Sequence, residues 1–280
     1  MPQSPTVRRR RLALELRRLR EAAKLTCEEV ADRLECSASK ISRVETGRVS
    51  VSPRDVRDLL EIYGVPEDQR DSLVQLARDS RQKGWWHAYG DAVEPQFATF
   101  LGLESEASEI RLYRVNFVPS LLQTEDYARA MIAALMSNLG HGNEQQFALT
   151  MERQRQAKNN PIKVWVVLDE AALRRQVGGR EIMRAQLEHL IDMSAMPNVF
   201  FQVIPFGSGA HIAMEVPFAV LSFPDIADPD VVWLRYPTGC HWIEDSDEVD
   251  MYRAFFHHQQ AAALPFGDSR ALMTSVLKDL

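Results

Sequence analysis

The sequence has few cysteines and no long apolar run. Its three cysteines, Cys27, Cys36 and Cys240, are scattered and show no CxxC or Cys/His spacing of the kind that a zinc site requires. This pattern excludes a disulfide framework. No apolar run reaches the roughly 18 residues that a membrane span needs, and the N-terminus lacks the apolar core of a signal peptide. We therefore expect a reduced, cytoplasmic protein with no membrane association and no metal site.

Catalytic motifs are equally scarce. No HExxH motif or i, i+4 histidine pair occurs, and the consecutive His257 and His258 would point about 100° apart on a helix. The short Gly207-Ser208-Gly209 stretch lacks the lysine of a phosphate loop, and no G-x-S-x-G elbow is present. The acidic residues 244–248 lack EF-hand spacing and instead predict the start of a helix. We expect no cofactor and no enzymatic activity.

Charge is distributed unevenly along the chain. The whole chain carries 33 Lys and Arg against 39 Asp and Glu, a net charge of -6. Residues 1–57 hold 14 basic and 8 acidic side chains, a net of +6, so the remaining 223 residues carry -12. A basic N-terminal region in an acidic protein suits contact with a polyanion such as nucleic acid. The alternative interpretation is that the basic run at residues 8–11 is a solvated tail.

The length of 280 residues predicts two domains. Residues 1–83 form the first, 84–93 a linker, and 94–280 the second. In the first domain, Thr26 and Glu29 predict a capping box, Ser37 a helix N-cap and Gly47 a helix stop. Five helices are predicted there, at 8–23, 27–34, 37–46, 53–63 and 67–83. The fold class of this domain is all-α.

The second domain changes character, because β-branched runs appear between helical segments. Strands are predicted at 162–168, 199–204, 218–223 and 231–236, with 240–243 as a short fifth strand. Helices are predicted at 95–114, 124–137, 144–158, 169–176, 180–195, 245–263 and 269–280. Grouped strands with helices around them indicate an α+β domain.

Residues 16–48, LRRLREAAKLTCEEVADRLECSASKISRVETGR, closely resemble the XRE/Cro-like helix-turn-helix. The resemblance implies that the third helix enters the major groove of double-stranded DNA. Its outward positions and the flanking phosphate contacts form one predicted DNA-binding set: Thr26, Ser37, Ala38, Ser39, Lys40, Ser42, Arg43, Arg48 and Arg54. Arg43 is the predicted reader, because its guanidinium can bond both O6 and N7 of guanine. The resemblance also implies an ion pair between Arg20 and Glu45.

Residues 106–132, EASEIRLYRVNFVPSLLQTEDYARAMI, resemble the V-P-G-L-L-Q-T-x-x-Y-A motif of actinobacterial regulators of the WhiJ type. Ser120 stands where the motif has glycine. The resemblance implies an antitoxin-like regulator with a small acidic partner protein encoded nearby. The motif residues Pro119, Leu121, Leu122, Gln123 and Tyr127 are candidate partner-binding residues. The alternative is a structural corner that packs Leu121, Leu122 and Tyr127 into the core.

Three functional hypotheses follow. The first is a homodimeric transcriptional regulator whose C-terminal domain binds a partner protein. A dimer is expected because helix-turn-helix heads read half-sites about one helical turn apart. The second is a regulator whose C-terminal domain senses a small molecule. The third is an enzyme with a DNA-targeting head.

Overall fold

The chain divides into two compact units, residues 1–87 and 88–280. A computed structural model describes residues 5–136, 143–160, 162–212, 214–225, 228–236 and 239–280. The division falls inside the predicted linker, in a 3-10 segment at Trp85–Ala92 that is interrupted at Gly90. Gly84 precedes this segment, where a Cβ atom would lie 2.4 Å from the Trp86 ring. Within the described ranges, no helix is long and apolar enough to cross a membrane.

The described part of the first unit holds five α-helices, as predicted. They are α1 Pro5–Ala22, α2 Cys27–Arg33, α3 Ala38–Glu45, α4 Pro53–Ile62 and α5 Glu67–Asp79. Thr26, Ser37 and Ser52 cap α2, α3 and α4, each accepting a hydrogen bond from a backbone amide of the first turn. The apolar faces of the helices meet in one core, in which Leu16 and Leu60 are completely buried.

Four helix ends in this unit share one backbone motif. After α1, α2, α3 and α4, an amide donates to the carbonyl five residues earlier, at 2.9–3.2 Å. The residue before that amide has a positive φ: Lys24, Glu35, Gly47 and Gly64. This is the Schellman motif, for which glycine is the usual residue. The glycines at positions 47 and 64 therefore predict two of the four helix ends from the sequence. Lys24 and Glu35 adopt the same left-handed conformation although, unlike glycine, they carry a Cβ atom that disfavours it.

The N-terminal basic run belongs to a helix. Residues 8–11 lie inside α1, which begins at Pro5, and Val7 is 2% exposed. Arg8 is also buried, and its Nη1 atom lies 3.7 Å from a carboxylate oxygen of Asp79. Burial lowers the pKa of Arg9. The solvated-tail interpretation is therefore wrong: the start of α1 packs into the first unit, and removing it would disturb the fold.

The second unit is built on a six-stranded mixed sheet over its described residues, with strand order β3-β2-β1-β4-β5-β6. The strands are β1 Glu109–Arg114, β2 Lys163–Asp169, β3 Val199–Ile204, β4 Phe218–Ser222, β5 Val231–Tyr236 and β6 Gly239–Ile243. The pairs β1–β2 and β2–β3 are parallel, and the other three pairs are antiparallel. The helices are α6 Pro95–Glu104, α7 Glu125–Met136, α8 Asn143–Asn159, α9 Glu170–Arg174, α10 Arg180–Met193, α11 Ser246–Ala262 and α12 Phe266–Asp279. The predicted α+β class is confirmed.

Strand β1 corrects the predicted helix at 95–114. The helix ends at Glu104, and residues 109–114 form a central strand of the sheet. Ile110 and Leu112 are buried on one face, in the alternation that a strand requires. The helix prediction failed because the partners of β1 are β2 and β4, which follow about 50 and 110 residues later in the chain.

Residues near the C-terminus of the chain hydrogen-bond to edge strand β3 of the sheet. On edge strand β3, the Val203 carbonyl accepts from the Leu264 amide at 2.8 Å, and the Val203 amide donates to Ser269 Oγ at 3.0 Å. Ser269 is completely buried. Because an unprotected edge invites pairing with another chain, this contact blocks such pairing near the C-terminal end of β3.

Candidate DNA-binding surface

Helices α2 and α3 form the helix-turn-helix. Ala31 on α2 and Ile41 and Val44 on α3 are all nearly inaccessible to solvent. The turn between the helices depends on Glu35 in its left-handed conformation, with the Cys36 amide bonded to the Ala31 carbonyl at 2.9 Å. Small Ala31 lets the two helices approach closely, which sets the angle at which α3 is presented.

The outer face of α3 is open to solvent. Ser39, Lys40, Ser42 and Arg43 are exposed, whereas Ala38 is half-buried. The positions predicted to face DNA therefore share one side of the helix, opposite the buried Ile41 and Val44. The polar outer face beside a buried inner face is what a helix needs to lie in a major groove.

The two basic residues of α3 differ in their surroundings. Lys40 Nζ lies 3.3 Å from a carboxylate oxygen of Asp55 on α4, and both side chains are largely exposed. No side chain in the described ranges forms a hydrogen bond or ion pair with the Arg43 guanidinium. Arg48 and Arg54 are also exposed. Arg43 can therefore meet a base without first breaking a protein contact, and Lys40 cannot.

A depression of about 550 Å³ lies between the start of α2 and the outer face of α3. Its lining residues are Arg20, Leu25, Thr26, Cys27, Glu28, Ala38, Ser39 and Ser42. Four of the residues that line the depression, Thr26, Ala38, Ser39 and Ser42, belong to the predicted DNA-binding set. Its wall includes the carboxylate of Glu28, which repels phosphate, so the contacts made there depend on the neighbouring polar groups.

The cap residues predicted as phosphate contacts already have protein partners. Thr26 Oγ1 accepts from the Glu29 amide at 3.1 Å, and the Thr26 amide donates to the Glu29 carboxylate at 2.8 Å. The predicted capping box is thus formed. Ser37 Oγ accepts from the Lys40 amide at 3.2 Å. Either hydroxyl still has a proton to donate to a phosphate oxygen, but the Thr26 amide is taken by Glu29.

Arg20 and Glu45 form the ion pair that the resemblance implies. Arg20 donates three hydrogen bonds to the Glu45 carboxylate at 2.8–3.0 Å and a fourth to the Leu25 carbonyl at 2.7 Å. The Glu45 side chain is only 4% exposed. Tyr63, the C-cap residue of α4, adds a hydrogen bond from its hydroxyl to Glu45 at 3.3 Å, and burial together with the Glu45 charge raises the pKa of Tyr63. The pair therefore ties α1, α3 and α4 together.

The V-P-S-L-L-Q-T corner of the second unit is held by two glutamine side chains, the buried Gln186 and the half-buried Gln154. Gln186 accepts from the Thr124 amide and donates to the Leu122 carbonyl, both at 2.8 Å. Gln154 donates to the carbonyls of Ser120 and Gln123 at 2.8 and 2.9 Å. No local sequence signal identifies Gln186 or Gln154 as partners of a corner more than 30 residues away.

This burial corrects the candidate partner-binding residues. Pro119, Leu122, Gln123 and Tyr127 are buried in their own unit, and only Leu121 is half-buried. Buried side chains cannot contact a partner, so the structural-corner interpretation is the one that the packing supports. Ser120 has no positive φ, and the corner does not need the glycine of the motif.

Comparisons with known proteins agree with this division of the chain. A helix-turn-helix domain model matches residues 11–73. A second family model, described as domain of unknown function DUF5753, matches residues 97–275. No curated protein and no solved structure is significantly similar to the chain. The predicted helix-turn-helix is confirmed.

Proposed function

The chain belongs to the DUF5753 family, and we propose that it is a transcriptional regulator that reads a specific double-stranded DNA sequence with α3. The observation that supports this function is the exposed face of α3, on which the Arg43 guanidinium is free of protein contacts within the described residues. Arg43 reads a guanine, and Ser39, Ser42 and Ala38 contact neighbouring base edges. Arg48, Arg54 and the hydroxyls of Thr26 and Ser37 hold phosphates, and Lys40 joins them by leaving Asp55.

We further propose that the regulator acts as a homodimer. One helix-turn-helix head covers too little DNA surface to bind tightly at physiological salt, and two heads read half-sites about 34–36 Å apart. Light scattering on the full chain at micromolar concentration tests this proposal. A monomer both with and without DNA would contradict it.

For the C-terminal domain we propose a regulatory, non-enzymatic role. The resemblance to regulators of the WhiJ type supports a small acidic partner protein, as in antitoxin-like systems. The buried corner residues do not supply its docking surface, so the partner would contact other residues. Sensing of a small molecule is the second candidate for this domain, and the placement of Arg114 and Arg235 on one face of the sheet favours it.

The test of DNA reading compares Arg43→Ala with Arg81→Ala, an exposed arginine outside the matched residues 11–73. A cognate duplex is first selected from a random library with the wild-type full chain. Arg43→Ala should then weaken cognate binding by about 1–3 kcal/mol and relax the preference at one base pair. Its effect on a scrambled duplex should be small, and Arg81→Ala should change neither affinity.

Binding measured at several salt concentrations distinguishes a base contact from a phosphate contact. A phosphate contact contributes about one unit to the slope of log K against log salt, whereas a base contact leaves the slope unchanged. If Arg43→Ala weakens cognate and scrambled duplexes equally and flattens the slope, Arg43 holds a phosphate. Lys40 then becomes the candidate reader.

A further inference from the structure

Two arginines project from the same face at one end of the sheet in the second unit. Tyr113 on β1 pairs with Phe218 on β4, and Phe218 pairs with Leu234 on β5. The next residues along β1 and β5 are Arg114 and Arg235. Because consecutive side chains of a strand alternate between faces, both arginines point to the face opposite Tyr113 and Leu234.

The spacing allows the two guanidinium groups to approach a common point. Their strands are separated by β4, which places their backbones about 10 Å apart. Arg114 reaches toward β4, where its Nη1 donates to the Phe218 carbonyl at 2.8 Å. Arg235 lies over the ring of Phe97 on α6, 5.0 Å from the ring centroid. An anion between the two side chains could accept hydrogen bonds from both.

A third arginine beside them is already neutralised. Arg153 on α8 lies 5.4 Å from the same Phe97 ring. Its guanidinium donates two hydrogen bonds of 2.7 Å to Glu104 and one of 3.0 Å to Ser120 Oγ. Both Arg153 and Glu104 are nearly buried. This pair belongs to the support of the corner, so within the described residues Glu104 forms its ion pair with Arg153 and not with Arg114 or Arg235.

Across the described ranges, no carboxylate lies within ion-pair distance of Arg114 or Arg235. Arg114 bonds instead to two neutral carbonyls, those of Tyr113 and Phe218. Burial, with repulsion from Arg153 and Arg235, lowers the pKa of Arg114 to about 10. Desolvation of its guanidinium and repulsion from Arg153 also lower the pKa of Arg235, although the residue as a whole is exposed and Glu94 opposes the shift. A partly buried positive charge such as that of Arg114, with only neutral acceptors beside it, is costly, and a bound anion would reduce that cost.

We propose that Arg114 and Arg235 form a binding site for the oxyanion group of a small molecule, a carboxylate or a phosphate. Arginine suits both groups because its planar fork presents parallel donors. Phe97 provides an apolar wall beside the anion, packed on Phe100 at 5.6 Å between ring centroids.

The test uses the full chain without DNA. Thermal melting of the second unit is followed in sodium phosphate and, separately, in sodium acetate, each against sodium chloride at matched ionic strength. We expect the melting temperature to rise saturably with one of the two oxyanions, which identifies the preferred group. Isothermal titration with the same salt then gives a dissociation constant.

Three variants determine where the anion binds. Arg235→Gln removes a partly exposed charge, so the fold should be kept, and binding should weaken by about tenfold or more. Arg114→Lys retains a positive charge but loses the fork, and should weaken binding as well. Arg184→Gln, an exposed arginine of α10, is the matched control and should bind as the wild type does.

A fourth variant tests whether the DNA-binding head causes the rise in melting temperature. Arg43→Ala should keep the full oxyanion effect, because the site lies in the other unit. The proposal is overturned if neither salt gives a saturable rise, if Arg235→Gln and Arg114→Lys both bind as the wild type does, or if Arg43→Ala alone abolishes the effect.

Discussion

Replacing Glu45 by alanine should destabilise the first unit strongly without changing which bases are read. The carboxylate accepts three hydrogen bonds from Arg20 and one from Tyr63, and its side chain is 4% exposed. Arg20 is 12% exposed. In Glu45→Ala, the Arg20 guanidinium would keep the Leu25 carbonyl, with Glu21 at 3.8 Å as its nearest remaining carboxylate.

The magnitude follows from this burial. Breaking a buried ion pair by removing one partner costs about 3–5 kcal/mol, whereas exposed pairs contribute about 0–1 kcal/mol. For a unit of this size, each 1 kcal/mol corresponds to about 4–8 °C in melting temperature. We therefore expect the transition of the first unit to fall by more than about 10 °C.

The assay is thermal and urea unfolding of the full chain, in which the transition of the second unit is an internal reference. Glu21→Ala is the matched control, because its pair with Arg17 is exposed and of i, i+4 type. The double variant Arg20→Leu/Glu45→Leu should lose less stability than the sum of the two single variants, because no charge remains buried. The reasoning is refuted if Glu45→Ala melts no lower than Glu21→Ala.

Three further changes test particular features of the two units. Glu35→Gly should stabilise the first unit by up to about 1 kcal/mol, because glycine relieves the strain of a left-handed residue, although it loses more chain entropy on folding. Asp32→Gly, inside α2, should destabilise the same unit. Urea unfolding that ranks the two variants in the opposite order would contradict this expectation. Tyr113→Phe should raise the melting temperature of the second unit, since the buried Tyr113 hydroxyl has no hydrogen-bond partner among the described residues; a lower melting temperature would show that the hydroxyl is satisfied. Gln186→Leu should destabilise the second unit by about 2 kcal/mol or more, because a backbone amide and a carbonyl of the corner lose their partners; a wild-type melting curve would show that the corner holds without it.

The identity of the first unit could be predicted from its sequence because its signals are local. The Thr26–Glu29 capping box, the Ser37 cap and the stop at Gly47 each act within one helical turn. The turn residues Lys24 and Glu35, the packing of residues 8–11 and the hydrogen bond from Tyr63 to Glu45 required the structure. The left-handed turns are imposed by helix packing, and Tyr63 reaches Glu45 from a helix that begins eight residues after Glu45.

In the second unit, local sequence patterns predict some elements and miss others. Its β-branched strands β2 to β5 were predicted, because buried strands carry a compositional signal. Strand β1 was assigned to a helix, since its pairing partners are distant in sequence. Likewise, the motif around Ser120 could be a corner or a docking surface until the side chains of Gln154 and Gln186 were placed against it.

The sequence by itself determined the all-α and α+β classes, and it predicted two domains and a set of residues for the outer face of α3. It could do so because caps, turns and periodicity depend on neighbours within a few residues. Tertiary structure alone decided that the predicted helix packs into the first unit at residues 8–11, that the corner residues are buried, and that Arg114 and Arg235 share one face with no carboxylate within ion-pair distance among the described residues. Those properties arise from pairing and burial between segments separated by tens of residues, for which a single sequence carries no local signal.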